Sequence, residues 1–261
     1  METVLVTGGA GFIGRSVVGQ LVEKGYRVIS LDNYVFSNQG QVTPCPNVEW
    51  VAGDTRDYDL VSELVKRADR VIHLAAASSF LMHKNLRGNE QNERRDVEAC
   101  SLVMIGFKTL MESMLRYGHK KIVWASTSAV YEEWAKWPRV PFHEELPIDP
   151  PDSKAGCKHW CELEARRYSN RHGIVSVALR PFSVYGVGEH TKRGYANITS
   201  LFSWAMMKGH RPIMWRDGNQ TRDFIYVDDC AKQFVLAMEN DTLPTTEINS
   251  GFGRDYSFNV S

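Results

Sequence analysis

The chain alternates short apolar segments typical of β-strands with longer segments whose pattern predicts helices. The strand-like segments include "TVLVT", "YRVISL", "RVIHLA" and "KIVWAS", and helices are predicted at 12–24, 57–68, 94–117 and 153–172. This alternation is typical of βαβ units, in which parallel strands form one sheet. Because "KIVWAS" is apolar nearly throughout, helices are expected to cover both faces. The sequence therefore predicts an α/β fold with a doubly wound parallel sheet.

Charge and cysteine content narrow the classes of partner and compartment. Lys and Arg number 31 and balance 31 Asp and Glu, so no overall field would attract nucleic acid or an anionic membrane. No segment approaches the ~20 apolar residues of a membrane span. The five cysteines are odd in number and form no CxxC pair, which favours a reducing compartment. We expect a cytoplasmic protein without a nucleic-acid or membrane partner.

The first motif with chemical meaning is "TGGAGFIG", which joins the first strand to the first helix. Its glycines, Gly8, Gly11 and Gly14, allow a tight turn and a close approach of backbone N–H groups to a pyrophosphate. The spacing is GxxGxxG rather than GxGxxG. A glycine-lined packing contact between strand and helix is the alternative interpretation.

Two carboxylates extend this motif into a dinucleotide site. Asp32 of "LDN" ends the second strand, where it can bind both hydroxyls of an adenosine ribose and would repel a 2′-phosphate. NAD is therefore favoured over NADP. Asp54 of "GDTRD" is placed to accept the adenine amino group. The alternative for Asp54 is a helix N-cap, a role that Asp57 fills at least as well.

Seven collinear motifs carry a resemblance to a known family: "TGGAGFIG", "LDN", "GDTRD", "HLAA", "STSAVY", "RPFSVYG" and "QTRDFIYVDD". Over nearly its whole length the chain resembles the extended short-chain dehydrogenase/reductase family, specifically its nucleotide-sugar epimerases and dehydratases of the UDP-glucose/galactose 4-epimerase kind. The resemblance implies a Rossmann-type fold with bound NAD. It assigns cofactor contacts to Gly8, Gly11, Phe12, Ile13, Gly14, Asp32, Asn33, Asp54, Thr55, Leu74, Ala75, Ala76, Lys158 and Pro181.

The same resemblance assigns the catalytic positions. In the family, NAD oxidises a sugar hydroxyl to a ketone and later returns the hydride, while the tyrosine of a Y-x-x-x-K pair removes the hydroxyl proton. Thr127 stands at the Ser/Thr position that assists this tyrosine, with a strand-end hydroxyl that caps a turn as the alternative interpretation. Lys158 stands at the lysine position, with Glu162 four residues later as in the family. The tyrosine position is occupied by Lys154.

A lysine at this position has two interpretations. Lys154 and Lys158 lie four residues apart and share a helix face, beside a nicotinamide that is itself cationic. Burial and like charges lower the pKa of a lysine, so a neutral Lys154 could act as the general base. Alternatively the site has lost its base, whether naturally or by mutagenesis. The sequence leaves both interpretations open.

The residues after Thr127 bear on the reaction. Ser128 and Ala129 replace the Asp-Glu pair usual in the dehydratases, and neither can exchange protons for elimination. An epimerase, which needs only oxidation, rotation of the ketosugar and reduction, is the simplest prediction. A dehydratase is disfavoured and a decarboxylase is left open. The rival class is a non-catalytic NAD-binding protein that has lost its base.

The resemblance also implies the substrate contacts Ser78, Thr127, Ser183 and Arg222. Arg222 would bind the diphosphate of a nucleotide sugar, most simply a UDP-sugar, with an ion pair to Asp223 or Asp217 as the alternative. Ser183 replaces a common asparagine. Cys157 and Cys161 are interpreted as packing residues, and no metal site is predicted.

The predicted organisation has two parts. Residues 1–180 form the NAD-binding Rossmann domain, and residues 181–261, with helices near 196–208 and 228–239, form a smaller C-terminal substrate-binding subdomain. The resemblance implies a further helix after the last residues, so we expect either a short branch of the family or a truncated chain. A homodimer through helices 94–117 and 153–172 is expected from the family.

Overall fold

The computed structural model describes residues 1–35, 37, 42, 44–77, 90–131, 141–190, 192, 196–214 and 217–259, with side chains omitted at 90–95. Ten strands and six helices are assigned within these ranges. The strands are β1 (Thr3–Thr7), β2 (Arg27–Asp32), β3 (Val48–Ala52), β4 (Arg70–His73), β5 (Lys121–Ala125), β6 (Val175–Pro181), β7 (Ser183–Tyr185), β8 (Thr221–Tyr226), β9 (Thr246–Ser250) and β10 (Asp255–Ser257). The helices are α1 (Phe12–Glu23), α2 (Tyr58–Arg67), α3 (Glu90–Tyr117), α4 (Ser153–His172), α5 (Ile198–Met207) and α6 (Val227–Glu239). A short 3₁₀ helix spans Ser128–Tyr131.

The main sheet is parallel throughout, as the sequence predicts. Seven strands follow the order β3-β2-β1-β4-β5-β6-β9, and each neighbouring pair is parallel. The order reverses beside β1, because β2 and β3 lie on one side of it while β4 and β5 lie on the other. Such a reversal leaves a crevice at the carboxyl ends of the strands, where ligands bind in open α/β sheets. The predicted Rossmann-type α/β fold is confirmed.

Helices cover both faces of this sheet, which explains why the strands are apolar on both sides. One core lies under α2, α3 and α4 and includes the fully buried Leu64, Phe107 and Trp124. The other lies under α1 and α6 and includes Leu21 and Phe234. Each of the six helices begins and ends within a few residues of the bounds that the sequence predicts.

The start of α4 is fixed by local chemistry. Asp152, which follows two prolines, caps the helix by accepting a hydrogen bond from Ala155 N at 2.8 Å. Gly173 ends it in the left-handed conformation at φ +69°. Lys154 is consequently the second residue of α4, and Lys158 lies one turn further along.

A small second sheet lies beyond β6. It has the order β10-β8-β7, with β7 and β8 parallel and β8 and β10 antiparallel. The chain then returns to the main fold, because α6 packs against α1 and β9 pairs with β6. Over the described ranges, no helix combines the length and apolar character needed to cross a membrane.

Candidate active site

The glycine turn between β1 and α1 has room only for glycine at two positions. Gly8 has φ +72°, and a Cβ atom there would lie 2.7 Å from Ala75 N. A Cβ atom at Gly14 would lie 2.1 Å from the carbonyl oxygen of Gly8. Gly11 is the N-cap of α1 and has no side chain to satisfy the first backbone N–H groups of the helix. Those groups are suited to bind an anion, such as a pyrophosphate.

A groove runs along the carboxyl ends of β1, β2 and β4. The groove is open to solvent, and the empty space within it, open solvent included, is ≈ 520 Å³. The structure brings eight of the predicted cofactor residues together in its lining: Gly8, Gly11, Asp32, Asn33, Thr55, Leu74, Ala75 and Ala76. The other predicted cofactor residues are not part of this lining. Phe12 and Gly14 are buried in the first turn of α1, Ile13 is half-buried there, and Pro181 ends β6.

Asp32 organises the loop beside this groove. Its carboxylate accepts hydrogen bonds from Ala10 N at 3.1 Å, from Tyr34 N at 2.9 Å and from the Ser37 hydroxyl at 2.9 Å. The carboxylate is thus held at the end of β2, where the sequence analysis expects the ribose. Ser37 also lines the groove, and sequence reasoning missed it because a serine in a polar loop carries no distinguishing signal.

Asp54 and Asp57 have different roles. Asp57 is the N-cap of α2 and accepts a hydrogen bond from Leu60 N at 3.1 Å. Asp54 instead holds Arg56, with Nε at 3.0 Å from Oδ1 and Nη2 at 2.8 Å from Oδ2. These bonds to Arg56 keep the pKa of the Asp54 carboxyl below its usual range. The capping role therefore belongs to Asp57, and the adenine contact of Asp54 stays a prediction.

Thr127 lies just beyond β5, and Lys158 reaches the last residue of the same strand. Thr127 is half-buried two residues beyond the strand, and its Oγ1 accepts a hydrogen bond from Ala129 N at 3.2 Å. Lys158 is 4 % exposed, and its Nζ donates to the carbonyl oxygen of Ala125 at 2.7 Å. The same Nζ lies 5.7 Å from the centre of the Trp124 ring. Sequence reasoning did not identify Trp124 as a neighbour of this amine.

The two lysines of α4 differ in burial and interact electrostatically. Lys154 is half-buried, whereas Lys158 is almost fully enclosed. The pKa of Lys158 is lowered to about 8, first by burial and then by the nearby positive charge of Lys154. That both ammonium groups point into the same pocket stays a prediction.

Tyr131, the tyrosine closest in sequence before Lys154, is fully buried. Its hydroxyl donates to Asn249 Oδ1 at 3.0 Å and accepts a hydrogen bond from Arg180. Burial raises the pKa of this phenol, although Arg180 opposes the shift. Because its hydroxyl is bound inside the protein, Tyr131 does not replace the missing family tyrosine.

Two of the four predicted substrate residues, Ser183 and Arg222, lie on the small sheet. Ser183 is on β7 and pairs in register with Phe224 of β8, two residues after Arg222. Arg222 is exposed and donates to the carbonyl oxygen of Thr221 at 2.8 Å. The carboxylate of Asp223 accepts hydrogen bonds from Phe252 N and Gly253 N instead of forming the alternative ion pair. Ser78 lies outside the described residues.

Comparison with known proteins identifies the family. A profile of the NAD dependent epimerase/dehydratase family matches residues 4–251. The chain belongs to this family. A Methanocaldococcus jannaschii protein provisionally named a UDP-glucose 4-epimerase is 37% identical over 98% of this chain and 79% of its own length. The Mycolicibacterium smegmatis UDP-glucose 4-epimerase is 30% identical over 89% of this chain and 72% of its own length.

Solved structures agree with this assignment. The UDP-glucose 4-epimerase of Thermotoga maritima with UDP-glucose has a TM-score of 0.83 and 26% identity, covering 98% of this chain and 79% of that one. The Thermus thermophilus UDP-glucose 4-epimerase complex with NAD has a TM-score of 0.78 and 28% identity, with 98% and 79% covered.

The prediction of NAD as cofactor is confirmed at the level of the family. The residues of this chain also fit the group, because the glycine turn leaves room for a pyrophosphate and the Asp32 carboxylate stands at the groove. The resemblance inferred from the seven motifs is therefore confirmed as well.

Proposed function

We propose that the protein is an NAD-dependent nucleotide-sugar epimerase in which Lys154 replaces the tyrosine of the family. The observation that carries the proposal is the meeting of Thr127 and the buried Lys158 at the end of β5, with Lys154 one helical turn away. The proposal is supported by relatives that are UDP-glucose 4-epimerases. When bound, NAD takes a hydride from a sugar hydroxyl carbon and returns it, so it is recycled.

Thr127 would orient the sugar. Its oxygen accepts the hydrogen bond of Ala129 N, so the hydroxyl hydrogen remains to donate to the reacting sugar oxygen. Lys158 would hold the nicotinamide ribose as a cation. Its ammonium would also stabilise negative charge that develops on the sugar oxygen as the proton leaves.

Lys154 would stand where the proton is transferred. As a neutral amine it can accept the hydroxyl proton during oxidation and return it during reduction. The competing proposal is that the chain keeps the site but lacks a working base, which makes it catalytically impaired or a non-catalytic NAD-binding protein. Lys154 itself favours that alternative, while the presence of Thr127, Lys158 and Arg222 supports an enzyme.

The reaction type follows from the residues beside Thr127. Ser128 and Ala129 open the 3₁₀ helix and offer no acid or base for elimination, which disfavours a dehydratase. A decarboxylase would begin with the same oxidation, and one relative, from Bacillus cytotoxicus, is a UDP-N-acetyl-alpha-D-glucosaminuronate decarboxylase. Epimerisation requires the fewest additional groups.

We infer a UDP-sugar as substrate. Arg222 and Ser183 lie on neighbouring strands, and the exposed guanidinium can bind a diphosphate with two parallel hydrogen bonds. The segment from residue 181, which carries both, would face the sugar nucleotide. Solved relatives with UDP-glucose support this choice.

We also propose a cytoplasmic homodimer. Apolar side chains on the outer faces of α3 and α4 are exposed, among them Ile105 and Leu163, which are 50% and 46% exposed. Pairing these helices with those of a second copy would cover them. All five cysteines are free thiols, which suits a reducing compartment.

The decisive experiment compares turnover of UDP-glucose by the parent, Lys154→Met and Lys154→Tyr between about pH 6 and about pH 10. We expect Lys154→Tyr to be faster than the parent, because general-base catalysis is typically worth ~10²- to 10⁴-fold. A phenol also fits the spacing around which the remaining motif is built. If Lys154 is the working base, Lys154→Met, which keeps the length of the stem but has no proton acceptor, should be nearly inactive.

Two other results would decide between the alternatives. A Lys154→Tyr variant no faster than the parent, alongside an inactive Lys154→Met, would establish lysine as the base. If all three forms bind NAD but neither bind nor convert UDP-glucose, the epimerase proposal fails and the non-catalytic alternative stands.

A further inference from the structure

A buried ion pair links α4 to β6 beneath the catalytic residues. Glu162 is 1% exposed and Arg180 is completely buried. Arg180 Nε lies 2.9 Å from Glu162 Oε1, and Nη2 lies 2.8 Å from Oε2, so the contact is bidentate. A bidentate pair fixes both distance and orientation between the helix and the strand.

The carboxylate of this pair also holds the segment that carries Thr127. Ser126 Oγ donates to Glu162 Oε1 at 2.6 Å, and Thr127 is the next residue. Ser126 N is bound to the carbonyl oxygen of Leu179 on β6 at 2.7 Å. Because Glu162 lies one turn after Lys158 on α4, a single carboxylate links the Thr127 segment to the helical turn that carries Lys158.

The guanidinium of Arg180 also connects the ion pair to the 141–149 loop. Arg180 Nη1 donates to the hydroxyl of Tyr131 and to the carbonyl oxygen of Glu144, the latter at 3.5 Å. Asn249 N in turn donates to Glu144 Oε1 at 2.7 Å. The end of β5, α4, β6, β9 and the 141–149 loop therefore meet at one buried cluster.

Stability alone does not account for such a pair. Burying two charges costs about as much as their attraction returns, and replacing a buried pair by apolar residues is often neutral or stabilising. We propose that Glu162 and Arg180 form a positioning pair, which sets the Thr127 hydroxyl and the Lys158 ammonium at the separation needed for the reaction. This inference rests on the proposed function.

Glu162 also affects the charge of Lys158. Burial and Lys154 lower the pKa of Lys158, whereas the negative charge of Glu162 raises it. The other titratable groups that face this amine are the thiols of Cys157 and Cys161 on α4 and the buried His73 on β4. Removing the charge of Glu162 should therefore lower the pKa of Lys158 further.

The test compares Glu162→Gln with Glu164→Gln. Glu164 is also a buried carboxylate of α4, but it faces Lys108 of α3 rather than the active site. Affinity for NAD is measured by calorimetry as a function of pH, together with kcat and KM for UDP-glucose. Since a Lys158 cation holds the ribose, affinity for NAD in the parent should fall as pH rises through about 8.

We expect Glu162→Gln to move this midpoint to lower pH and to lower kcat about 10²-fold, as misplacement of catalytic groups does. Glu164→Gln should leave both unchanged. A folded Glu162→Gln variant with the parent kcat would overturn the proposal, because the midpoint reports only the charge of Lys158.

A double variant covers the case in which Glu162→Gln does not fold. Glu162→Leu with Arg180→Met removes both charges and should fold, because no unpaired charge is left inside. If it folds and binds NAD but has a low kcat, the pair positions the site. Recovery of the parent kcat would show that the pair is only structural. If the parent itself converts no UDP-glucose, the proposed function fails. Affinity for NAD well below pH 8, where Lys158 is cationic in every form, then decides whether the pair places its ammonium: a loss of affinity in the double variant supports the proposal, and an unchanged affinity overturns it.

Discussion

Two glycines of α1 differ sharply in what an added methyl group would meet. At Gly14, a Cβ atom would lie 2.1 Å from Gly8 O, 2.7 Å from Gly9 Cα and 2.9 Å from Gly8 C. All three are backbone atoms of the glycine turn, which cannot swing away as a side chain could. At Gly19, on the exposed side of the same helix, a Cβ atom would meet nothing within 4 Å.

The expected magnitudes follow from this difference. Replacing a helical glycine by alanine gains roughly 0.5–1 kcal/mol through helix propensity, and this gain applies at both positions. Gly14→Ala also carries the cost of overpacking, about 1–3 kcal/mol or more. The difference in the free energy of unfolding between the two variants therefore isolates the steric cost. Gly19→Ala should be more stable than the parent, and Gly14→Ala less stable than Gly19→Ala by about 1–3 kcal/mol.

The assay is urea unfolding of the parent and both variants, followed by calorimetric titration with NAD. Relief of the clash requires the turn at Gly8 to move, so Gly14→Ala should also bind NAD more weakly, whereas Gly19→Ala should bind it as the parent does. Equal unfolding free energies for the two variants would refute the reasoning. So would a Gly14→Ala variant with unchanged affinity for NAD.

Two further predictions concern single charges. Arg222→Ala should weaken binding of UDP-glucose in calorimetry and leave affinity for NAD nearly intact, because Arg222 is exposed on the small sheet, where it donates to Thr221 O and lies 6.0 Å from the centre of the Phe258 ring; loss of both affinities would indicate a folding defect instead. Lys158→Met should increase the free energy of unfolding by about 2 kcal/mol at neutral pH. In the folded protein the pKa of the buried amine is lowered to about 8, whereas the unfolded chain keeps this proton up to about pH 10.4. Stability of the parent should therefore rise as pH increases from about 8 to about 10.4, and a parent without this rise would contradict the prediction.

The fold was predictable because its signals are local. Six of the seven strands of the main sheet are short, mostly apolar segments, whereas β9 is polar and was not predicted. Helix starts such as those at Asp57 and Asp152 are marked by capping carboxylates. The glycine turn is equally local, since Gly8, Gly11 and Gly14 lie within one strand-to-helix connection. Periodicity and capping require no knowledge of distant residues, so the sequence carries them directly.

The contacts within the site were less predictable because they join distant segments. Arg180 and Glu162 are 18 residues apart, and the sequence marks Glu162 only as part of a motif. Tyr131 meets Asn249 across 118 residues, which no periodic pattern predicts. Arg222 shows the same difficulty, because its neighbour Asp223 is the obvious partner in sequence but binds backbone N–H groups at 252 and 253.

The lysine at position 154 affects the site in two ways that can be separated. Its charge lowers the pKa of Lys158, so any neutral residue at 154 should raise that pKa and keep Lys158 cationic to higher pH. Lys154→Met and Lys154→Tyr share this effect, and both should hold NAD more tightly than the parent above about pH 8. Only Lys154→Tyr also adds a proton acceptor. The Lys158 ammonium, which keeps its charge to higher pH in this variant, in turn favours the phenolate. If both variants bind NAD more tightly but only Lys154→Tyr gains turnover, the two effects of this position are separated. The electrostatic effect then comes from the loss of the Lys154 charge, and the proton-transfer effect comes from the added phenol.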